Sequence, residues 1–269
     1  MSEGPTPNFL TVMVGAAHVR VAYGRRERPL RRPPSAEPGR LRDALQAAAD
    51  GGHLALIAEV KRRSPSKGDI APHLDAVTQA RAYQNAGADA ISVLTEPTRF
   101  GGSLDDLQAV AAGVTVPVLR KDFIVDPYQI WEATRAGADA VLLIAAILDA
   151  AALGVLLAEC WECGLDALVE IHTRDELTRV IAARANLVGV NNRNLSTLDV
   201  DMHTTEEIGP AVPRGILFVS ESGIASIDDA RRAAAAGASA LLVGEALVRC
   251  PHERLPDLVH QLRTVRRAS

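Results

Sequence analysis

The sequence predicts a (β/α)8 TIM barrel of the phosphate-binding type, carrying an N-terminal extension. Three observations point there. Eight short apolar runs rich in β-branched residues alternate with segments long enough for one helix each, as a parallel barrel requires. A pentapeptide recurs at Ala86–Ala90 (AGADA), Ala136–Ala140 (AGADA) and Ala236–Ala240 (AGASA), at multiples of 50 residues. Polar residues gather at the carboxyl ends of the apolar runs, where barrel enzymes do their chemistry. An open doubly wound sheet would usually have six strands, and no GxGxxG opens this one.

In chain order, the strands are expected at 54–60 (LALIAEV), 90–95 (AISVLT), 116–120 (VPVLR) and 140–146 (AVLLIAA). Four more follow at 166–171 (DALVEI), 186–191 (NLVGVN), 216–221 (ILFVSE) and 240–245 (ALLVGE). Helices read between them, such as HLDAVTQARAYQNAG and IDDARRAAAAG. The glycine of each pentapeptide suits the left-handed residue that ends a helix before the next strand.

Residues 1–40 read differently. They hold seven arginines against Glu3, Glu27 and Glu37, and 24–40 combines prolines with no periodicity, so this stretch reads as a divergent, mobile extension ahead of a catalytic barrel at 41–269. The stretch from Phe9 to Tyr23 lacks a basic start and a small-residue cleavage site, which makes it a poor signal peptide.

Composition narrows the function. The chain has 269 residues, a formal charge of −4 and few aromatics, which disfavours phosphate-tracking and base-stacking contacts with nucleic acid. No apolar run approaches the roughly 20 residues of a membrane helix. Cys160 and Cys163 form a C-x-x-C at the end of a helix-like run. There the helix dipole raises a thiol's pKa, so a packing role is expected rather than redox or zinc chemistry. Three cysteines without a secretion signal suit a reducing cytoplasm.

Of 29 Lys and Arg residues, lysine is confined to Lys61, Lys67 and Lys121. Side chains alternate along a strand, so Ile57, Glu59 and Lys61 share one face, as do Leu119, Lys121 and Phe123. Leu168 with Glu170, and Gly189 with Asn191 and Arg193, follow the same rule. Seventh and eighth strands end in Ser222-Gly223 and Gly244-Glu245, where backbone N–H groups and a helix start can cradle a phosphate. Lysine lends a proton where arginine cannot, so amines beside carboxylates point to acid–base work on a small phosphorylated molecule.

The stretches IAEVKRRSPSKG, SVLTEPTRFGGSLDDL, VLRKDFIVDPYQIWEATRAGADAVLLI, ALVEIHTRDEL, VGVNNRNL, VSESGI and LLVGEALV resemble the indole-3-glycerol phosphate synthase family, over residues 41–250. That resemblance implies a tryptophan-biosynthesis carboxy-lyase, working without metal or organic cofactor. It closes the indole ring of 1-(2-carboxyphenylamino)-1-deoxyribulose 5-phosphate with loss of carbon dioxide and water. It implies Lys121 as general acid and Glu170 as general base. Lys61 would hold the anthranilate carboxylate and share the proton work, with Glu59 and Asn191 orienting groups around it. Ser64, Phe123, Leu143, Arg193, Glu221 and Ser222 would meet or support the substrate, and Ser222, Gly223, Gly244 and Glu245 would hold its phosphate. The division of the acid role between Lys61 and Lys121 stays open.

The family's usual opening helix, I-L-x-x-I-x-x-x-K, is not visible in residues 1–40, and only Leu41–Asp50 matches the later part of that extension. The expected chain is a monofunctional monomer, with other pathway enzymes as its candidate partners. A related barrel, phosphoribosylanthranilate isomerase, would use a Cys/Asp pair, which these strand ends lack. A non-catalytic barrel, or one repurposed for a specialised tryptophan-dependent pathway, is the alternative from another class.

Overall fold

The computed structural model of the chain describes residues 8–266. Eight parallel strands close on themselves: β1 (Ala55–Val60), β2 (Ala90–Leu94), β3 (Val118–Lys121), β4 (Ala140–Ile144), β5 (Asp166–Ile171), β6 (Leu187–Asn191), β7 (Leu217–Glu221) and β8 (Ala240–Val243). Each pairs with its sequence neighbours, and β8 returns to β1 with Ala55 beside Ala240 and Ala58 beside Val243. All eight runs expected from the sequence are strands. The pentapeptide glycines Gly87, Gly137 and Gly237 have φ of 100°, 81° and 95°, so each sits in the left-handed region.

Alternation sorts the strand residues into two cores. Ile57, Leu119, Leu142, Leu168, Val219 and Leu242 point inward, whereas Leu56, Val141, Leu143, Val169, Val188 and Leu241 pack against the helices. Side-chain oxygens of Asp75, Ser103, Asp126, Asp149, Thr173 and Ser226 cap the helices that follow, satisfying their first free N–H groups.

Two helices precede the barrel. The first, α1 (Phe9–Glu27), starts on an Asn8 side chain that accepts from the Thr11 N–H at 2.8 Å. It supplies a helix within residues 1–40, where the family's opening motif is not visible. Its buried stripe is Met13, Ala17, Val21 and Gly24, at helical spacing, but Val12, Val19 and Tyr23 are exposed on the same helix, so the two faces show little apolar contrast. Gly24 lets the Tyr128 ring approach: a Cβ there would lie 2.8 Å from it. The second helix, α2 (Arg40–Asp50), buries Leu41 and Leu45 against the inner core. From Arg28 to Gly39 the chain has neither helix nor strand, and two of its arginines pair with the barrel wall: Arg28 with Glu132 at 3.1 Å and Arg32 with Glu159 at 2.5 Å. No helix among the described residues is long and apolar enough to cross a membrane.

Candidate active site

At the carboxyl ends of the strands lies a cavity of about 670 Å³, within the usual range for a small-molecule site. Period two brings the inward residue at each strand end to it. Glu59 and Lys61 close β1, Lys121 closes β3, Glu170 comes from β5 and Asn191 ends β6; Ser64, Phe123, Arg193, Ser222, Gly223, Gly244 and Glu245 line the same space.

The charges are tightly paired. Lys61 Nζ lies 2.5 Å from Glu59 Oε1. An alanine Cβ at 244 would collide with that carboxylate and stand 2.9 Å from Lys61 Nζ, so glycine there keeps room for the pair. Lys121 Nζ donates to Glu221 Oε2 at 2.5 Å and lies 3.6 Å from Glu170 Oε2. Burial pulls the Lys121 pKa down, but Glu221, Glu170 and Glu59 outweigh it and hold the ammonium above its usual range. Burial pushes Glu221 up to about 7, Lys121 opposing and Glu170 adding to the rise. For Glu59, burial raises the pKa, but Lys61 and Lys121 outweigh it and keep the carboxyl low.

Two assignments move. Glu221 is fully buried and lies behind the cavity wall, its Oε1 without a hydrogen-bond partner and packed against Gly189. It supports Lys121 rather than lining the space for a ligand. Leu143 faces the helices, and its neighbours Leu142 and Ile144 line the cavity instead. In β4 the register pairs Leu142 with Leu168 and Ile144 with Glu170, which sets the inward parity one residue away from that expected.

Two cavity residues that no strand carries, Phe9 and Phe100, join the expected Phe123. Phe9, Phe100 and Phe123 form an aromatic wall, with ring centroids of Phe9–Phe123 at 6.2 Å and Phe100–Phe123 at 6.4 Å. Phe9 arrives on α1, which Arg20 fixes to the barrel through Asp122 at 2.7 Å and Glu96 at 3.3 Å. Glu96 also accepts from the backbone N–H groups of Thr98, Arg99 and Phe100, so it holds Phe100 as well. The dozen residues after β1 contain a short hairpin, Arg63–Ser64 with Gly68–Asp69, and Lys67 on it lines the cavity. Arg193 donates to Ser66 Oγ at 3.0 Å, linking this hairpin to the loop after β6.

The C-x-x-C pair does not take part. Cys160 lies on the helix Ala150–Glu162 and Cys163 caps its end, both buried; burial pushes Cys163 up to about 11 and Cys160 higher. Among the described residues no cluster of three His, Cys, Asp or Glu side chains is arranged to hold a metal ion.

Residues 16–261 match the family model for indole-3-glycerol phosphate synthase. The enzyme of that name from Kineococcus radiotolerans is 52% identical over 206 residues, spanning 76% of this chain and 75% of its own. That from Mycolicibacterium gilvum is 50% identical over 217 residues, 80% of each chain. An open form of tryptophan synthase from M. tuberculosis, solved with BRD0059 bound, superposes with a TM-score of 0.60 at 19% identity, covering 84% of this chain and 98% of that one. The last likeness concerns the fold.

Proposed function

The chain belongs to the indole-3-glycerol phosphate synthase family, and on that premise we propose how its barrel mouth closes the indole ring of 1-(2-carboxyphenylamino)-1-deoxyribulose 5-phosphate. The observation that carries the reading is the Lys121 ammonium poised between Glu170 and Glu221 at the cavity wall. The ring carbon bearing the carboxylate attacks the ribulose carbonyl carbon, and the carbonyl oxygen takes a proton from Lys121 to become a hydroxyl. Carbon dioxide then leaves, and the electrons of its bond restore the aromatic ring. In the last stage the new hydroxyl leaves as water with a second donated proton, while one proton from the former ribulose methylene passes to Glu170.

Lys61, held by Glu59, neutralises the anthranilate carboxylate until it departs and can supply the second proton. Asn191 Oδ1 accepts from the Arg193 backbone N–H at 2.9 Å, which steadies the loop above the reacting atoms. Phe9, Phe100, Phe123, Leu142 and Ile144 give the anthranilate ring an apolar wall. Ser64 and Arg193 meet the sugar, and Ser222, Gly223, Gly244 and Glu245 hold the phosphate, the last two through the backbone.

All these residues come from one barrel, which supports action as a monomer. The free, mostly buried cysteines and the biosynthetic family support a cytoplasmic setting. Feeding the carboxyphenylamino substrate and following indole fluorescence tests the reading: product formation is expected, and a folded but silent protein overturns it.

A further inference from the structure

Ring closure consumes protons. The substrate's carboxylate leaves as neutral carbon dioxide, so two protons are donated and one is recovered, a net uptake of one per turnover. Glu170 is 2% exposed and Lys121 is walled by carboxylates, so the site needs a route for protons from solvent.

A second cavity, of about 600 Å³, lies on the outer side of the ends of β5 and β6. His172 and Glu176 line it together with Thr173, Asn191, Asp201 and Thr204. His172 sits two residues beyond Glu170 and stands between the two spaces. Its Nε2 is 3.5 Å from Glu170 Oε1 and its Nδ1 is 3.6 Å from Glu176 Oε2. Both nitrogens are buried and make no hydrogen bond within these distances. Glu176 is fixed in place by accepting the His172 backbone N–H at 2.6 Å. Such ring contacts tighten when a catalytic site is occupied.

We propose that Glu176 and His172 form a proton relay joining the outer cavity to Glu170, which makes His172 a positioning and shuttling residue for the acid–base pair. The inference rests on the ring-closing reading. A proton taken up by Glu176 passes to Nδ1, giving an imidazolium. The Nε2–H then breaks and its proton joins Glu170 Oε1, leaving the Nδ1–H tautomer; after a ring flip the two nitrogens exchange roles in the next turnover, which returns the ring to its starting tautomer. The protonated Glu170 can then return its proton to Lys121, 3.6 Å away, recharging the amine to donate the second proton of the turnover. The groups facing the ring favour this traffic. Burial lowers the His172 pKa, but Glu176, Glu170 and Glu221 outweigh it and leave the ring more basic than a free histidine, while Arg179 helps to keep Glu176 ionised.

The test is single-turnover product formation by the full chain, comparing wild type with His172→Gln, His172→Ala and Glu176→Gln, after thermal melting has confirmed that each folds. The relay predicts a fall of at least about tenfold in the chemical rate for each, with KM within about twofold of wild type. His172→Gln and Glu176→Gln combined should be no slower than either alone, because both cut one path. Added imidazoles should restore the His172→Ala rate, and the restored rate should track the pKa of the imidazole used. Variants within twofold of the wild-type rate, or rescue that ignores imidazole pKa, overturn the relay. A wild-type chain that forms no product overturns the ring-closing reading instead.

Discussion

The Lys121 ammonium, from the end of β3, donates across the barrel mouth to Glu221 Oε2, from the end of β7, at 2.5 Å. The two lie on opposite sides of the closed sheet, so neither is near the other in sequence. Glu221 itself does not line the cavity. Its buried charge sets both the orientation and the proton affinity of the amine that does.

Replacing Glu221 by Gln therefore shifts the pH dependence of turnover in a defined direction. A general acid works below its pKa, so the rate falls as pH rises through it. Three carboxylates hold Lys121 above its usual range against burial, and removing one lets burial weigh more. The alkaline limb of the kcat profile should move to lower pH in Glu221→Gln. An unmoved or upward-shifted limb would show that Glu221 does not set the amine.

Gly244→Ala places a methyl group on Glu59 and against Lys61. Displacing a catalytic pair by an ångström costs on the order of 10²-fold in rate, and a loss of that size in kcat/KM is expected. Steady-state kinetics beside a melting curve checks it; the curve should change little, since the methyl points into the cavity mouth.

Arg20 secures α1 to two buried carboxylates at Glu96 and Asp122. Arg20→Ala should cost about 1.5–3 kcal/mol in urea unfolding, the range for hydrogen bonds to charged groups. It should also raise KM, because Phe9 reaches the cavity on the same helix. Unchanged KM would separate the clamp from the aromatic wall.

The parity of β4 has its own check. Leu143→Ala removes a fully buried side chain from the strand–helix core and should lose about 2–5 kcal/mol. KM should stay near wild type. Ile144→Ala, whose side chain lines the cavity, should raise KM.

The barrel was legible because eight runs and a 50-residue repeat say the same thing twice. Glu59, Lys61, Lys121, Glu170 and Asn191 were legible because alternation alone puts a strand's last inward residue at the mouth. Leu143 was misplaced because Ala140–Ile144 is apolar throughout, and such a run gives no contrast between inside and outside. The α1 helix escaped notice because Val12, Val19 and Tyr23 are apolar on its exposed face, and its anchor is an arginine whose partners lie 76 and 102 residues away. Glu96 and His172 stood inside recognisable stretches. Their work depends on neighbours that the folded loops alone supply.

In the proposed mechanism Lys121 gives the proton that starts ring closure. Single-turnover fluorescence on Lys121→Arg tests it most directly, with substrate affinity measured in parallel. The guanidinium keeps the positive charge beside Glu170 and Glu221 but does not release a proton. Retained binding is expected, with product formation reduced by on the order of 10²–10⁴-fold. An arginine variant that forms indole-3-glycerol phosphate at near the wild-type rate would contradict it.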